Sequence, residues 1–162
     1  MRIQKIIKNL KQVEDIKKII KNGGFLISAL SIISPENKTD EWDIGFYDPN
    51  TKKITEIHVN KNNVKIEKPD NPLREISEGP DENKIKISSE KALEIANKDF
   101  EKYKTKAKKI IISFQLKEKE IWNITFISNF GTLINVEIDA ENGNVLNSEK
   151  KSLFENRSST AS

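Results

Sequence analysis

Apolar residues recur along this chain with two spacings. In residues 1–22 and 88–103 they recur every three or four positions, as on the buried face of an amphipathic helix. Elsewhere they form short runs or alternate with polar residues, as in strands that bury one face. We predict strands over residues 25–33, 41–47, 57–59, 64–66, 108–114, 120–128, 134–138 and 145–146. A helix followed by four short strands therefore occurs twice, which predicts an α+β fold of two tandem units, each a helix packed on an antiparallel β-meander.

One strand pattern occurs in both units. Tryptophan, isoleucine and phenylalanine alternate from Trp42 to Phe46, and again, eighty positions later, from Trp122 to Phe126. The apolar positions match between the units while the turns differ, which indicates a tandem duplication. We interpret both tryptophans as core anchors. A unit of about 65 residues buries only about 60% of its unfolded surface, so we expect the two units to pack against each other and stabilise each other.

The first helical segment carries apolar residues in two groups, one up to Leu10 and one from Val13 onward. At 100° per residue the groups point in different directions, so the helix either breaks near Asn9 or is buried on two sides. Asn9 and Gln12 have the spacing of a capping box, which favours a new helix start there. Surplus apolar residues on this helix leave room for a dimer contact. The glycines at 23–24 are the predicted stop.

These patterns divide the chain into four parts. Unit 1 is predicted to span residues 1–67 and unit 2 to span residues 85–149. Residues 68–84 contain three prolines, one glycine and a small excess of acids, as expected of a linker. Its acidic character allows it to lie over the basic first helix. Residues 150–162 are predicted to be a disordered tail.

Unit 2 resembles a PepSY domain. The residues that carry the likeness are the helix from Ile87 to Ala96, the strand starting at Trp122, and the hairpin from Val136 to Val145. Asn142 stands where the family usually has threonine, and unit 1 lacks both the alanine-rich helix and the hairpin turn. The resemblance implies a non-catalytic module of the kind found in propeptides of thermolysin-type metalloproteases and in exported proteins. It implies peptidase regulation, intramolecular inhibition or binding at the cell envelope, and transfers no site residues.

The residues that usually perform catalysis are scarce. The chain has no cysteine and one histidine, which excludes thiolate chemistry and opposes a Ser-His-Asp relay or a multi-histidine metal site. It has no glycine-rich phosphate loop. We therefore predict a protein that is not an enzyme, with no catalytic residue, no metal site and no cofactor. The sequence does not identify its binding residues. His58 is predicted to face solvent on its strand.

One group of carboxylates has the alternation of a strand face. Glu137, Asp139 and Glu141 are the alternative candidates for a calcium site. Gly143, however, falls at the fifth position of the loop instead of the sixth, so we interpret these residues as a polar strand face and turn.

Positive charge is concentrated in two places although the net charge is only +3. The first helix carries Lys5, Lys8, Lys11, Lys17, Lys18 and Lys21, and a second cluster contains Lys102, Lys104, Lys106, Lys108 and Lys109. An acidic partner, a membrane surface and RNA are the functional alternatives. No aromatic residues interleave with these lysines, so we predict solvated faces and no nucleic-acid binding. The excess of lysine over arginine is typical of an AT-rich genome.

These observations favour a non-catalytic module that binds a protein or peptide or regulates a peptidase, and a peptidase is one candidate partner. Strand addition at an open sheet edge is the predicted mechanism. The alternative is a self-associating structural protein with no small ligand, for which a homodimer is one form. No segment has the roughly 20 apolar residues of a membrane span. As it stands the sequence predicts a cytoplasmic protein, and an extracytoplasmic one if an export signal precedes it.

Overall fold

One antiparallel sheet of eight strands runs through the computed structural model, which describes residues 2–37, 40–61 and 63–152. The elements, in chain order, are α1 (Arg2–Leu10), α2 (Glu14–Lys21), β1 (Phe25–Ile33), β2 (Trp42–Asp48), β3 (Lys53–Asn60), β4 (Asn63–Ile66), α3 (Ser89–Phe100), β5 (Ala107–Lys117), β6 (Lys119–Ser128), β7 (Thr132–Asp139) and β8 (Val145–Ser152). Short 3₁₀ turns occupy Glu82–Lys84 and Glu101–Tyr103. The predicted α+β class is confirmed.

The two meanders are joined at the middle of this sheet. The strand order is β4-β3-β2-β1-β5-β6-β7-β8, so each meander contributes one half. The joint is the antiparallel pairing of β1 with β5, in which Ala29 lies opposite Phe114 and Ile33 lies opposite Ile110. The expected support between the units therefore takes the form of a shared hydrogen-bonded ladder. The division into two domains and the origin by duplication stay predictions.

The helices cover one face of the sheet and bury the core there. Both tryptophans lie in this core, Trp42 at 6% and Trp122 at 0% exposure, with ring centroids 6.3 Å apart. Trp122 also donates its indole N–H to the carbonyl of Ile87 at 2.9 Å. The prediction that these residues are core anchors is confirmed, and their contact links the two halves of the core.

The first helical segment is two helices. α1 ends at Leu10, and α2 begins after Val13, whose side chain makes no capping hydrogen bond. The predicted capping box is therefore wrong: Gln12 instead donates its backbone N–H to the carbonyl of Asn9, at 3.0 Å, within a turn. The break turns both apolar groups toward the core, which buries Ile3, Ile7, Leu10, Ile16 and Ile19. The surplus apolar face proposed for a dimer contact is thus used inside the molecule.

The predicted linker packs closely against the rest of the protein. The buried carboxylate of Glu82 forms an ion pair at 2.5 Å with Lys11, the residue that follows α1, and Gln4 of α1 donates to the Glu82 carbonyl at 2.8 Å. This confirms that the acidic linker lies against the basic helix. At Gly79 a Cβ atom would lie 1.8 Å from the carbonyl oxygen of Leu26, so only glycine allows this approach.

The last strand runs beyond the predicted end of unit 2. β8 continues to Ser152, three residues past Glu149, because Lys151 pairs with Leu133 and Ser152 pairs with Thr132 of β7. Ladder pairing accommodates the charged side chains, which single-sequence patterns assign to a tail. Residues 153–162 of the predicted tail lie outside the described residues.

Trp122→Ala tests the shared core. The substitution removes a fully buried ring and leaves the Ile87 carbonyl without its donor, so we expect a loss of about 3–5 kcal/mol in the free energy of unfolding. Urea denaturation measures it. Phe130→Ala is the control, because Phe130 is 84% exposed and its loss is expected to change stability by about 0.5 kcal/mol or less. Equal midpoints for Trp122→Ala and the wild type would contradict the core assignment.

Candidate functional site

The sheet ends at two edge strands, β4 and β8, and backbone groups at such edges are available to another chain. Glu67, just after β4, donates its N–H to the carbonyl of Glu56 on β3 at 2.8 Å, so Glu67 and Glu56 form a hydrogen-bonded pair of this ladder. Bonded and non-bonded pairs alternate in an antiparallel ladder. Ile66 and Val64, one and three positions before Glu67, therefore turn their N–H and C=O groups outward. Val64 is also half exposed.

A groove lies beside this edge, between α2 and the end of β4, with a volume of about 820 Å³. We call it the α2–β4 groove. Its lining residues are Asp15, Lys18 and Ile19 of α2 and Asn22 directly after it, Asp48, Thr51, Lys53 and Thr55 of β2, β3 and their turn, and Ile66, Glu67, Lys68 and Pro69 at the edge. Its size is within the range of ligand-binding clefts.

The groove exists because α2 packs chiefly on β2, two strands away from β4, whose residues are mostly exposed. Gly24 draws the end of α2 against β2: a Cβ atom there would lie 2.5 Å from the carbonyl oxygen of Tyr47. Past β4, Asp70 pairs with Ile54 through two backbone hydrogen bonds, of 2.8 and 2.9 Å, and holds the groove's outer rim on the sheet. The groove is therefore walled by a helix on one side and by an edge strand on the other.

The opposite edge is closed on its helix side. Helix α3 contacts β6, β7 and β8. Ser148 of β8 is hydrogen-bonded to the hydroxyl of Tyr103 at 2.6 Å and to the carboxylate of Asp99. Phe100 stacks on Phe126 beneath, with ring centroids 4.2 Å apart. β8 thus has α3 against its helix side, and the shallow hollow of about 500 Å³ that reaches Glu149 and Lys151 lies on the uncovered face. At β4, in contrast, the groove lies on the helix side of the sheet.

The face of the sheet that the helices leave uncovered carries the only histidine. His58 Nδ1 lies 2.5 Å from the Asp43 carboxylate on the neighbouring strand, and Nε2 lies 3.9 Å from Glu41. The hydrogen bond with Asp43 raises the pKa of His58 above its usual value. Partial burial opposes this increase, and the negative charges of Asp43, Glu41 and Glu67 support it. The prediction that His58 faces solvent is confirmed, since 39% of its side chain is exposed.

The carboxylates considered for calcium are held by lysines. Glu137 pairs with Lys117 at 3.1 Å and Asp139 with Lys119 at 2.8 Å. The bond from Lys119 lowers the pKa of Asp139 and raises that of the lysine, and the N–H groups of the following turn also stabilise the Asp139 carboxylate. In residues 2–37, 40–61 and 63–152 no group of three histidine, cysteine or acidic side chains is arranged to hold a metal ion.

The two lysine clusters lie apart from the groove for the most part. Among the helix lysines, Lys18 lines the groove, Lys11 is paired with Glu82, and Lys5, Lys8, Lys17 and Lys21 are exposed on the outer side. In the second cluster, Lys102 pairs with Asp99 at 3.2 Å and lies over the Tyr103 ring. The remaining members flank the start of β5.

Sequence reasoning did not identify the α2–β4 groove or the contact of His58 with Asp43. The sequence did contain a signal for the His58–Asp43 contact, because both residues lie on the polar sides of strands joined by a tight hairpin and are direct partners in the ladder. It contained no signal for the groove, since the groove depends on where a helix packs on strands distant in the chain.

Helices on one face of an antiparallel sheet, with two unequal edges, define a class of α+β module. Residues 86–149 match the family model described as peptidase propeptide and YPEB domain, PepSY. The resemblance to PepSY domains found in the helix and hairpin of this part of the chain is thus confirmed. No curated protein matches this sequence.

The fold of nearly the whole chain recurs in a known structure. It is similar to the 1.85 Å crystal structure of a candidate lipoprotein from Clostridium difficile 630, with a TM-score of 0.62, 17% identity and 90% of each chain covered. At this identity the likeness concerns the fold alone. Within the described residues, none of the helices is long and apolar enough to cross a membrane.

The His58 contact predicts a titration that NMR can follow without assignment, since the chain has a single histidine. We expect a pKa above the ordinary value of about 6.5, and a decrease toward that value in Asp43→Asn. Because the pKa of His58 is raised in the folded protein, its protonated imidazole stabilises the folded state. This contribution is fully present at pH values below the pKa of the unfolded chain and is lost as the pH rises through the folded pKa.

Asp48→Asn, on the same strand but away from the imidazole, is the control and should leave the titration unchanged. An imidazole pKa at or below 6.5 that Asp43→Asn does not move would contradict the contact.

Proposed function

We propose that this protein is a non-catalytic module that binds an extended segment of a partner protein. The segment pairs with the outer edge of β4 and places side chains in the α2–β4 groove. The observation that carries this proposal is the coincidence of outward N–H and C=O groups, at Val64 and Ile66, with a groove lying beside them. In strand addition the main-chain bonds provide affinity, and pockets for alternate side chains provide specificity.

The geometry of the ladder defines which partner residues enter the groove. Val64 and Ile66 lie opposite the inward-facing Val59 and Ile57, so their own side chains lie on the helix side of the sheet. In an antiparallel addition, the partner residues directly opposite them share that side. The partner therefore presents alternate residues to the groove and the intervening ones to the uncovered face.

The lining of the groove indicates side chains without strong net charge. Three lysines (Lys18, Lys53 and Lys68) balance three acidic residues (Asp15, Asp48 and Glu67) around an apolar floor that includes Ile19 and Ile66. Because the charges cancel, the attraction for a strongly acidic or basic segment is small. Apolar or uncharged polar side chains at alternate positions fit best.

The partner we propose is a peptidase, met outside the cytoplasm. The support for a peptidase is the PepSY domain at residues 86–149, whose family is described by its peptidase propeptides. The support for the location is the shared fold of the candidate lipoprotein. A peptidase also presents extended polypeptide segments, which are the ligands that an edge strand accepts.

Val64→Pro tests the edge directly. Proline removes the outward N–H of Val64 and leaves the inner ladder bonds of β4 intact, so the fold is retained at an edge position. Peptides selected from a phage-displayed random library on the wild-type protein are expected to bind Val64→Pro at least tenfold more weakly, as measured by fluorescence polarisation. Val64→Ala keeps the N–H and is the matched control, with affinity close to wild type.

Selected peptides that bind Val64→Pro as tightly as Val64→Ala would overturn the edge mechanism. A second pair tests the groove: Lys18→Glu is expected to change the selected peptide sequences, and Lys17→Glu, an exposed change on the same helix, is not. The peptidase is tested separately, with thermolysin and a chromogenic peptide. Inhibition of thermolysin by wild type and Val64→Ala, but not by Val64→Pro, supports the proposal. If none of the three proteins inhibits thermolysin, thermolysin-type peptidases are excluded as the partner.

A further inference from the structure

The second edge strand, β8, has its own pattern of outward groups. The Ala140 N–H donates to the Glu120 carbonyl at 3.2 Å, which sets the phase of the ladder between β6 and β7. The Asp139 N–H donates to the Asn144 carbonyl at 2.8 Å, which sets the complementary phase toward β8. In the register of β7 and β8, Lys150 lies opposite Ile134. Because bonded and non-bonded pairs alternate along the ladder, this pair is a non-bonded one, and the N–H and C=O groups of Lys150 point outward.

The side chains beside Lys150 carry opposite charges on one face. Glu149 and Lys151 both lie on the uncovered face of the sheet and form an ion pair with each other at 3.2 Å. Ser148 and Lys150 lie on the helix side, as the hydrogen bond of Ser148 to Tyr103 shows. The edge therefore presents acid, outward backbone and base at three successive positions.

We propose that β8 is a self-association surface, at which two copies of this chain pair antiparallel about a two-fold axis at Lys150. In this register Glu149 of each copy lies opposite Lys151 of the other, on both sides of the axis. The outward backbone groups of Lys150 bond across the axis to their symmetry mates. The partner is a second copy because the charge sequence of this edge complements itself.

The neighbouring registers are disfavoured by the same charges. A shift that centres the axis on position 149 brings two glutamates together, and a shift to position 151 brings two lysines together. Like charges directly opposite each other destabilise a strand pair, whereas opposite charges stabilise it. Only the register centred on Lys150 keeps the backbone phase and gives two Glu149–Lys151 contacts.

The dimer expected from this edge is a weak and reversible one. The two Lys150 side chains repel across the axis, and lysines on an edge strand commonly limit such pairing. The interface is a single pair of strands with exposed charges. Because β4 is at the far side of each sheet, the dimer leaves both α2–β4 grooves open and presents two grooves in one assembly.

Single-cysteine variants distinguish the registers, since the chain has no cysteine of its own. Cysteines that lie opposite their own symmetry mate form a disulfide on oxidation with copper phenanthroline. Lys150→Cys is expected to cross-link at least fivefold faster than Glu149→Cys or Lys151→Cys. Equal rates, a faster reaction at 149 or 151, or no cross-linked dimer in any variant would overturn the proposal.

A charge exchange tests the same contact without a covalent bond. Glu149→Lys and Lys151→Glu are each expected to weaken the dimer about tenfold in sedimentation equilibrium, and the double variant, which restores the pairing with the signs reversed, is expected to recover wild-type dimerisation. A double variant as weak as the single ones, or a wild-type protein that stays monomeric at millimolar concentration, would contradict it. Peptide binding at β4 is measured independently, so failure here leaves the proposed function unaffected.

Discussion

The pairing of β1 with β5 is the interaction on which the rest of the structure depends. Four strands with one or two helices make a marginal core, and each half of this chain has no more than that. Joining the halves edge to edge removes two open edges and creates one continuous apolar face. Trp42 and Trp122 meet across this joint, 6.3 Å apart, so the same pairing that completes the sheet also completes the core.

The joint also determines where the remaining edges lie. Because β1 and β5 are in the middle, β4 and β8 are at the two ends, far from each other. The helices then make the ends unequal. α3 reaches β8 and closes its helix side, whereas α2 is held over β2 by the close approach at Gly24. The β4 edge is left with a groove on its helix side, and the β8 edge carries side chains of opposite charge on its uncovered face.

Much of this fold was accessible from the sequence because strands that bury one face reveal themselves by alternation. The bounds of β1, Phe25–Ile33, follow from its apolar run, and the buried tryptophans follow from their apolar neighbours two and four positions away. Local signals failed where tertiary contacts decide. The Asn9 and Gln12 pair was a plausible cap, but the second helix has its N-cap at Val13, four residues later, where both apolar groups reach the core.

The candidate site was less accessible than the fold for the same reason. The β-meanders predicted from the sequence already imply edge strands that are available for pairing. Which edge has a groove depends on contacts between α2 and β2, which join residues distant in the chain. The pairing of Glu82 with Lys11 was foreseeable in sign but not in partner, because charge composition predicts attraction between segments and not the individual residues that meet.

The most direct test of the central joint uses one tryptophan at a time. Trp42→Phe leaves the fluorophore in the second half and Trp122→Phe leaves it in the first half. If the β1–β5 pairing makes the two halves one cooperative unit, then tryptophan fluorescence and far-ultraviolet circular dichroism will give the same urea midpoint in each variant. A fluorescence midpoint that differs from the circular dichroism midpoint in either variant would show that the halves unfold separately and would contradict the account.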